Sequence, residues 1–328
     1  MSKFGAHISL GRRDGFGQAL QQCHDAGSPV PVLFALDQNV MPDVIAHSPA
    51  TKLIFRTQIG GDPNPPNIWQ DDPIASADHW YASRLPIWQK NPAHFYCATN
   101  ETDPGTLAQF AWLNKFELQL MRRADVDGLK LAIGAHSTGT PSDDGGLSRY
   151  QRWNELVPSL QYAKAHGHIL LLHEYGFGTT LPNSVPYHAL RFRDALDYLA
   201  PLNADPQVVI SECSDFNGYS GEGAAWLNGV EWYDNQVIVD PRVLGFCAYQ
   251  LGSAENWYSL IPKWADWVSA HPTPVVEPPP PPPPPPEIEI IEHFFTNIIT
   301  QSNEAATSLQ FVLDEYGLPA RHYTRTVP

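Results

Sequence analysis

Short apolar runs recur along residues 4–250, and segments with helical periodicity separate most of them. Several of the runs are almost continuously apolar, which is typical of parallel strands that are buried on both faces. The predicted strands are Phe4–Ser9, Val30–Leu36, Lys52–Thr57, His94–Thr99, Gly128–Ile133, His168–His173, Val208–Glu212 and Leu244–Gln250. Strands of this number in alternation with helices predict an α/β fold, a closed (β/α)8 TIM barrel, over residues 1–272.

Helical periodicity is clearest in six segments between or after these strands. They are Asp14–Ala26, Ala75–Lys90, Leu107–Ala124, Ser148–His166, His188–Leu199 and Glu255–Ala270, and two further helices are expected near Val40–His47 and Gly223–Asn235. An open, doubly wound sheet would instead require a G-x-G-x-x-G phosphate turn after an early strand. The glycines at positions 11, 15 and 17 lack that spacing, so these residues are predicted to form a loop and a helix start.

A run of nine consecutive prolines, Pro278–Pro286, marks the end of the barrel region. Residues 273–286 are predicted to be a linker, in which the run forms a semi-rigid spacer of roughly 28 Å at ~3.1 Å per residue. A proline-rich recognition ligand is the alternative, but the run has no flanking basic residues. Residues 287–328 are too few for a robust core of their own. Their apolar stretch Ile288–Ile299 predicts an assembly or anchoring segment that self-associates or binds a partner.

The charge balance excludes several classes of partner. The chain has 35 acidic and 20 basic residues, a formal net charge of −15, which argues against nucleic acid or an anionic membrane as partner. No apolar stretch approaches the ~20 residues of a membrane span, and the N-terminus shows no apolar core of a signal peptide. We therefore expect a cytoplasmic protein or one released by a non-classical route.

The cysteines do not point to a metal or redox site. Cys23, Cys97, Cys213 and Cys247 include no C-x-x-C pair, so neither a zinc knuckle nor a redox motif is expected. Free cysteine is among the most buried residue types, and we predict four buried free thiols. No cofactor is expected.

Polar residues stand where the apolar runs end. In a (β/α)8 barrel the active site lies at the C-terminal ends of the strands, so these residues are the candidates for a site. They are Arg56, Asn100, Glu101, His136, His173, Tyr175, Glu212 and Gln250. The fourth and seventh strands face each other across the barrel mouth, which would bring Glu101 and Glu212 together. Two such carboxyls, about 5–5.5 Å apart, perform retaining glycoside hydrolysis: one protonates the leaving group and the other attacks the anomeric carbon.

Asn100-Glu101 at the end of strand four and Glu212 at the end of strand seven resemble the clan A glycoside hydrolases. The resemblance covers the barrel and implies that Glu101 is the general acid/base and Glu212 the nucleophile. It also implies that Asn100 holds the sugar 2-hydroxyl and that Tyr175 hydrogen-bonds the nucleophile. The substrate would be a poly- or oligosaccharide.

The remaining candidates have supporting roles. Arg56 would lower the pKa of a neighbouring carboxylate, while His173 and His136 would orient a carboxylate or bind sugar hydroxyls. Gln250 stands where clan A enzymes usually carry a tryptophan, and Trp257 is predicted to form an aromatic platform for sugar.

Three alternatives remain open. The barrel could be a non-catalytic carbohydrate-binding or structural domain displayed on a larger assembly. Glu101 could cap the helix that starts near Pro104, with Glu212 as a buried ion-pair partner. Gly5–Ser9 also resembles the first strand of metal-dependent barrels, but the third strand ends Arg-Thr-Gln without a histidine, and no H-x-H or H-E-x-x-H motif occurs.

Removal of residues 278–328 tests the predicted boundary. The barrel should stay folded and hydrolyse small substrates at a nearly unchanged rate, because few contacts should cross a polyproline spacer. The association state should change, because the apolar stretch 288–299 is lost. Size-exclusion chromatography with light scattering on the full chain and on residues 1–277 measures both. Unfolding or aggregation of the shorter chain would place the boundary elsewhere.

Overall fold

The computed structural model describes residues 2–57, 69, 71–215, 223–252 and 260–271, without the side chains of residues 223–226 and 228. Residues 1–274 form one compact unit and residues 275–328 a second. The second unit lies outside the described residues, so the linker and the C-terminal segment stay predictions. None of the described helices is both long and apolar enough to cross a membrane.

The sheet is a closed barrel in which each strand pairs with the next along the chain and the last pairs with the first, all in parallel. Its strands are β1 (Phe4–Ile8), β2 (Val32–Ala35), β3 (Lys52–Arg56), β4 (Phe95–Cys97), β5 (Leu131–His136), β6 (Ile169–Tyr175), β7 (Val208–Ser214) and β8 (Val243–Leu251). The predicted (β/α)8 barrel is therefore confirmed.

A helix follows each strand along the described part of the chain. The helices are α1 (Phe16–Asp25), α2 (Met41–His47), α3 (Pro73–Trp88), α4 (Leu107–Val126), α5 (Arg149–His166), α6 (Arg191–Leu199), α7 (Gly223–Val237) and α8 (Leu260–Ala270). Side-chain caps set several of their starts, and in α4 Thr106 and Gln109 form a reciprocal capping box. The glycine-rich residues after β1 form a loop and end at Gly15, which has φ 81°.

The core has two layers, which follow from the alternation of side chains along each strand. In β2, Val32 and Phe34 belong to the cluster inside the barrel, whereas Leu33 and Ala35 pack in the layer between strands and helices. Cys97 and Cys247 lie in the inner cluster. All four cysteines are free and buried, as predicted.

A bulge near the end of β5 helps to place the backbone at the end of the neighbouring strand β4. Gly134 and Ala135 have φ of 81° and 45°, and the register to β6 shifts between Gly134 and His136. A side chain at Gly134 would come within 2.7 Å of Leu170 Cδ1. The Gly134 amide donates to Glu117 Oε1 on α4 at 2.8 Å, and the Ala135 carbonyl accepts from the Glu101 amide at 2.9 Å. A buried carboxyl thus supports the segment that holds Glu101.

Glu117→Gln should change how stability depends on pH. Burial raises the pKa of Glu117 from 4.5 to about 7, so its stabilising contribution is complete below about pH 4.5 and is lost as the pH rises through 7. Glutamine keeps an acceptor for the Gly134 amide and does not ionise. At pH 8 the variant should be more stable than wild type by up to about 3 kcal/mol, with little difference at pH 4.5.

Thermal unfolding at pH 4.5 and pH 8 measures this difference. Glu155→Gln, a partly exposed position on α5, removes the same formal charge and serves as the control. If the Glu117→Gln and wild-type melting temperatures decline equally between the two pH values, Glu117 is not the titrating group.

Candidate active site

Five of the predicted site residues line a cavity of about 390 Å³ at the C-terminal ends of the strands: Arg56, Asn100, Glu101, Glu212 and Gln250. Its described lining consists of His7, Ser9, Leu10, Leu36, Arg56, Asn100, Glu101, Glu212, Tyr249 and Gln250. A larger cavity of about 780 Å³ lies along the β1–α1 loop, α1 and α2, and none of the predicted site residues lines it. The smaller cavity is therefore the candidate active site, because it contains the paired carboxyls.

Glu101 and Glu212 approach each other across this cavity. A carboxylate oxygen of Glu101 and one of Glu212 lie within 4.8 Å of each other. This separation is close to the about 5–5.5 Å of retaining glycosidases and well below the about 6.5–9.5 Å of inverting ones. The two groups differ in exposure: the Glu212 side chain is 9% exposed and that of Glu101 is 39% exposed.

Glu212 is held by groups from three other strands. Tyr175 Oη donates to Oε2 at 2.7 Å, and Arg56 Nη1 donates to Oε1 at 3.3 Å. His173 Nε2 and His7 Nε2 lie 3.7 and 3.6 Å from the same Oε1. The predicted contact of Tyr175 with the carboxylate of Glu212 is thus present.

These neighbours decide the ionisation of Glu212. Burial by itself would raise its pKa, but His173, the hydrogen bond from Tyr175 and the Arg56 guanidinium together lower it below the ordinary value. His7 contributes no positive charge near neutral pH, because burial lowers its own pKa to about 3. Glu212 is therefore an ionised carboxylate beside cationic groups, as the role predicted for Arg56 requires.

His173 bridges the two carboxyls. Its Nδ1 lies 3.0 Å from Glu101 Oε1, while Nε2 faces Glu212. Burial lowers the pKa of His173, but the charge of Glu212 and the hydrogen bond to Glu101 outweigh burial, and the net pKa is raised. The ring is fully buried and lies beside both carboxyls.

Asn100 is part of the same network, because its Oδ1 accepts from Arg56 Nη1 at 2.8 Å. Glu101 has a left-handed backbone, φ 46°, which is uncommon for a residue with a side chain and marks a constrained position. Glu101 is not a helix cap: the N-cap of α4 is Thr106. The alternative structural role for Glu101 is therefore wrong.

Residue alternation along β6 separates His173 and Tyr175 from Glu174. The Glu174 carboxylate turns away from the cavity and accepts from the amides of Leu190 and Phe192 at 2.6 and 3.0 Å and from the hydroxyl of Tyr233 at 2.6 Å. Burial raises the pKa of Glu174 to about 7. Glu174 therefore anchors the start of α6 to β6.

His136 lies outside the described lining of the cavity. Its ring packs edge-on against Trp153, and its Nδ1 lies 3.9 Å from Asp103 Oδ1. Burial lowers the pKa of His136 to about 4, so the ring is neutral. A sugar contact by His136 stays a prediction that this geometry does not favour.

Strand β8 contributes Tyr249, which the sequence interpretation missed. Its ring lies 4.8 Å from that of His7 and 5.9 Å from that of Tyr175, and the Tyr249–Gln250 peptide bond is cis. The aromatic residue at this strand end is thus Tyr249, one position before Gln250, and both residues line the cavity. The signal in the sequence that could have identified Tyr249 is its position directly before Gln250 at the end of the predicted strand. Trp257 lies outside the described residues.

The carboxyls and the bridging histidine also have a spacing that a metal ion could use. Among the described residues, Glu101, His173 and Glu212 each offer a ligand atom within 4.8 Å of the others. However, His173 Nδ1 is hydrogen-bonded to Glu101, and the Arg56 guanidinium lies on Glu212. Because the cationic guanidinium neutralises the charge of Glu212, the donor set is better suited to paired carboxyl chemistry than to a divalent cation.

No protein-family model and no curated protein sequence matches the chain. Similar solved structures do exist. A family 5 glycoside hydrolase from Prevotella bryantii B14, in complex with a xyloglucan tetradecasaccharide, has a TM-score of 0.50 at 8% identity over 81% of this chain and 96% of its own. A family 39 glycoside hydrolase from Bacteroides cellulosilyticus WH2 has a TM-score of 0.50 at 10% identity over 83% and 64%.

The β-glucuronidase of Ruminococcus gnavus has a TM-score of 0.51 at 8% identity, covering 82% of this chain and half of its own. At sequence identities this low, the structural similarity shows a shared fold and nothing finer. The (β/α)8 barrel is thus a fold that this chain shares with known glycoside hydrolases, and the roles of individual residues depend on the geometry above.

His173→Gln should raise the pKa of Glu212, because the variant loses the charge that lowers this pKa most, while burial of the carboxylate remains. Glutamine can still hydrogen-bond Glu101 but does not become positively charged. Titration of the Glu212 carboxyl by carbon NMR measures the shift. His168→Gln, a buried histidine next to Asp125, is the control. An unchanged Glu212 titration in His173→Gln would contradict the electrostatic role of His173.

Proposed function

We propose that the protein is a retaining O-glycoside hydrolase that acts on a poly- or oligosaccharide by double displacement. The observation that carries the proposal is the pair of carboxyls, Glu101 and Glu212, whose oxygens lie within 4.8 Å at an open strand-end cavity. A merely structural or carbohydrate-binding barrel has no requirement for two carboxyls at this distance. The fold shared with glycoside hydrolases agrees with the proposal.

In the first step Glu101 donates its proton to the glycosidic oxygen while a Glu212 oxygen attacks the anomeric carbon. The bond from that carbon to the leaving group breaks, the leaving group departs as an alcohol, and a glycosyl ester forms on Glu212. In the second step Glu101, now a carboxylate, takes a proton from water. The resulting hydroxide attacks the anomeric carbon, which releases the sugar and restores both carboxyls.

The unequal environments of the two carboxyls support this division of roles. A nucleophile must be ionised, and Glu212 lies beside Arg56 and His173 with a lowered pKa. An acid/base must exchange protons with a leaving group and then with water, and Glu101 is the more exposed of the pair. Asn100 shares Arg56 with Glu212, so it is placed to bind a hydroxyl on the sugar that Glu212 attacks.

Glu212→Gln should abolish turnover and leave the fold intact, because the amide is nearly isosteric and does not attack carbon. A loss of several powers of ten in kcat is expected, on the order of 10⁴ or more. A screen of aryl glycosides and polysaccharides with wild type and variant measures it, with circular dichroism for the fold and Glu155→Gln as a control. Full activity in Glu212→Gln would remove this residue from the mechanism.

Azide separates the roles of the two carboxyls within the same experiment. With Glu101→Ala, activated aryl glycosides should be spared, and azide should yield a glycosyl azide of retained configuration. With Glu212→Gly, azide should attack the substrate directly and yield the inverted product. The opposite pair of configurations would exchange the two assignments, and wild-type activity that is lost on dialysis against EDTA would favour a metal-dependent reaction instead.

A further inference from the structure

His7 on β1 is a buried polar side chain that makes no hydrogen bond within the described part of the chain. Its residue is 1% exposed, yet neither ring nitrogen has a hydrogen-bond partner among the described residues. Buried polar groups in folded proteins are nearly always paired, so an unpaired one requires an explanation. By comparison, His168, which is also buried, accepts a hydrogen bond from the Leu131 amide at 2.9 Å.

The ring of His7 borders the candidate active site. It lines the cavity, and Nε2 lies 3.6 Å from Glu212 Oε1, which is too long for a hydrogen bond. The Phe34 ring at 5.1 Å and the Tyr249 ring at 4.8 Å pack against it. These aromatic contacts hold the ring at the wall of the cavity.

The chemistry of the two groups defines what fits between them. Near neutral pH the buried imidazole is uncharged and offers one donor and one acceptor. Ionised Glu212 only accepts. A hydroxyl both donates and accepts, and one oxygen at about 2.8 Å from each group is compatible with their separation. A carboxylate substituent would be repelled by Glu212, and a hydrogen atom in place of the hydroxyl would leave His7 unpaired.

We propose that His7 is a substrate-binding residue that recognises one hydroxyl of the sugar whose anomeric carbon Glu212 attacks. The inference rests on the proposed glycosidase function and deepens it: the cavity selects a sugar with a free, uncharged hydroxyl at that position. The missing partner of His7 in the protein is then supplied by the substrate.

A panel of 4-nitrophenyl monodeoxy glycosides, each lacking one hydroxyl of a sugar that wild type hydrolyses, tests this. Wild-type kcat/KM should fall at one deoxy position by up to about 10⁴-fold, because a site built to bind a hydroxyl rejects its absence. In His7→Phe that loss should shrink to less than about tenfold, while losses at the other positions stay as in wild type. Comparing enzymes cancels the intrinsic reactivity of each glycoside.

Two further variants separate binding from structure. His7→Gln, whose amide reaches toward the place of Nε2, should recover part of the discrimination. His7→Phe should unfold at a temperature no lower than that of wild type, because it removes a buried polar group that makes no hydrogen bond. His168→Phe should unfold at a lower temperature than wild type and should keep the wild-type discrimination between the deoxy glycosides.

Two results would overturn the inference. If wild type is active but His7→Phe lowers kcat/KM by one factor on every glycoside, His7 recognises no single hydroxyl. If wild type hydrolyses no glycoside at all, the proposed function fails and takes the inference with it.

Discussion

Closure of the sheet between β8 and β1 is the constraint on which the site depends. A parallel barrel places the C-terminal ends of all its strands on one rim, so residues as distant in sequence as His7, Glu101 and Glu212 border a single cavity. Phe4 pairs with Phe246 across this closure, and their rings stack at 5.3 Å. Without the pairing of β8 with β1, the strand ends would not enclose a common cavity.

Within the cavity, electrostatics assigns different states to similar groups. Glu212 is almost fully buried, and an isolated carboxylate there would be costly. Arg56, His173 and Tyr175 compensate by charge and hydrogen bonds. Glu101 shares His173 with Glu212 but reaches solvent. Two glutamates of identical chemistry therefore acquire the unequal environments that acid/base and nucleophile roles require.

Two carboxyls in the layer between strands and helices support the strand ends that carry the cavity residues. Glu117 on α4 accepts the amide of Gly134 beside the β5 bulge, and Glu174 on β6 accepts the amides of Leu190 and Phe192 where α6 begins. Burial raises the pKa of both to about 7. The two groups lie next to the backbone segments that carry Glu101 on one side and His173 with Tyr175 on the other. The backbone segments that carry the cavity residues are thus held by polar contacts outside the cavity.

Periodicity along the sequence was sufficient to predict the barrel, because strands buried on both faces must be apolar throughout and their polar residues collect at the ends. It also placed Glu101, Glu212, Arg56 and Asn100 on one rim. Tertiary structure alone decided the rest. Register shifts near Gly134 in β5 and between Ile210 and Cys213 in β7 change which residues face the cavity, and alternation cannot anticipate a bulge. Packing then turned His136 toward Trp153, brought Tyr249 beside His7, and set His173 between the two carboxyls. These outcomes depend on contacts between strands far apart in sequence, which no local pattern contains.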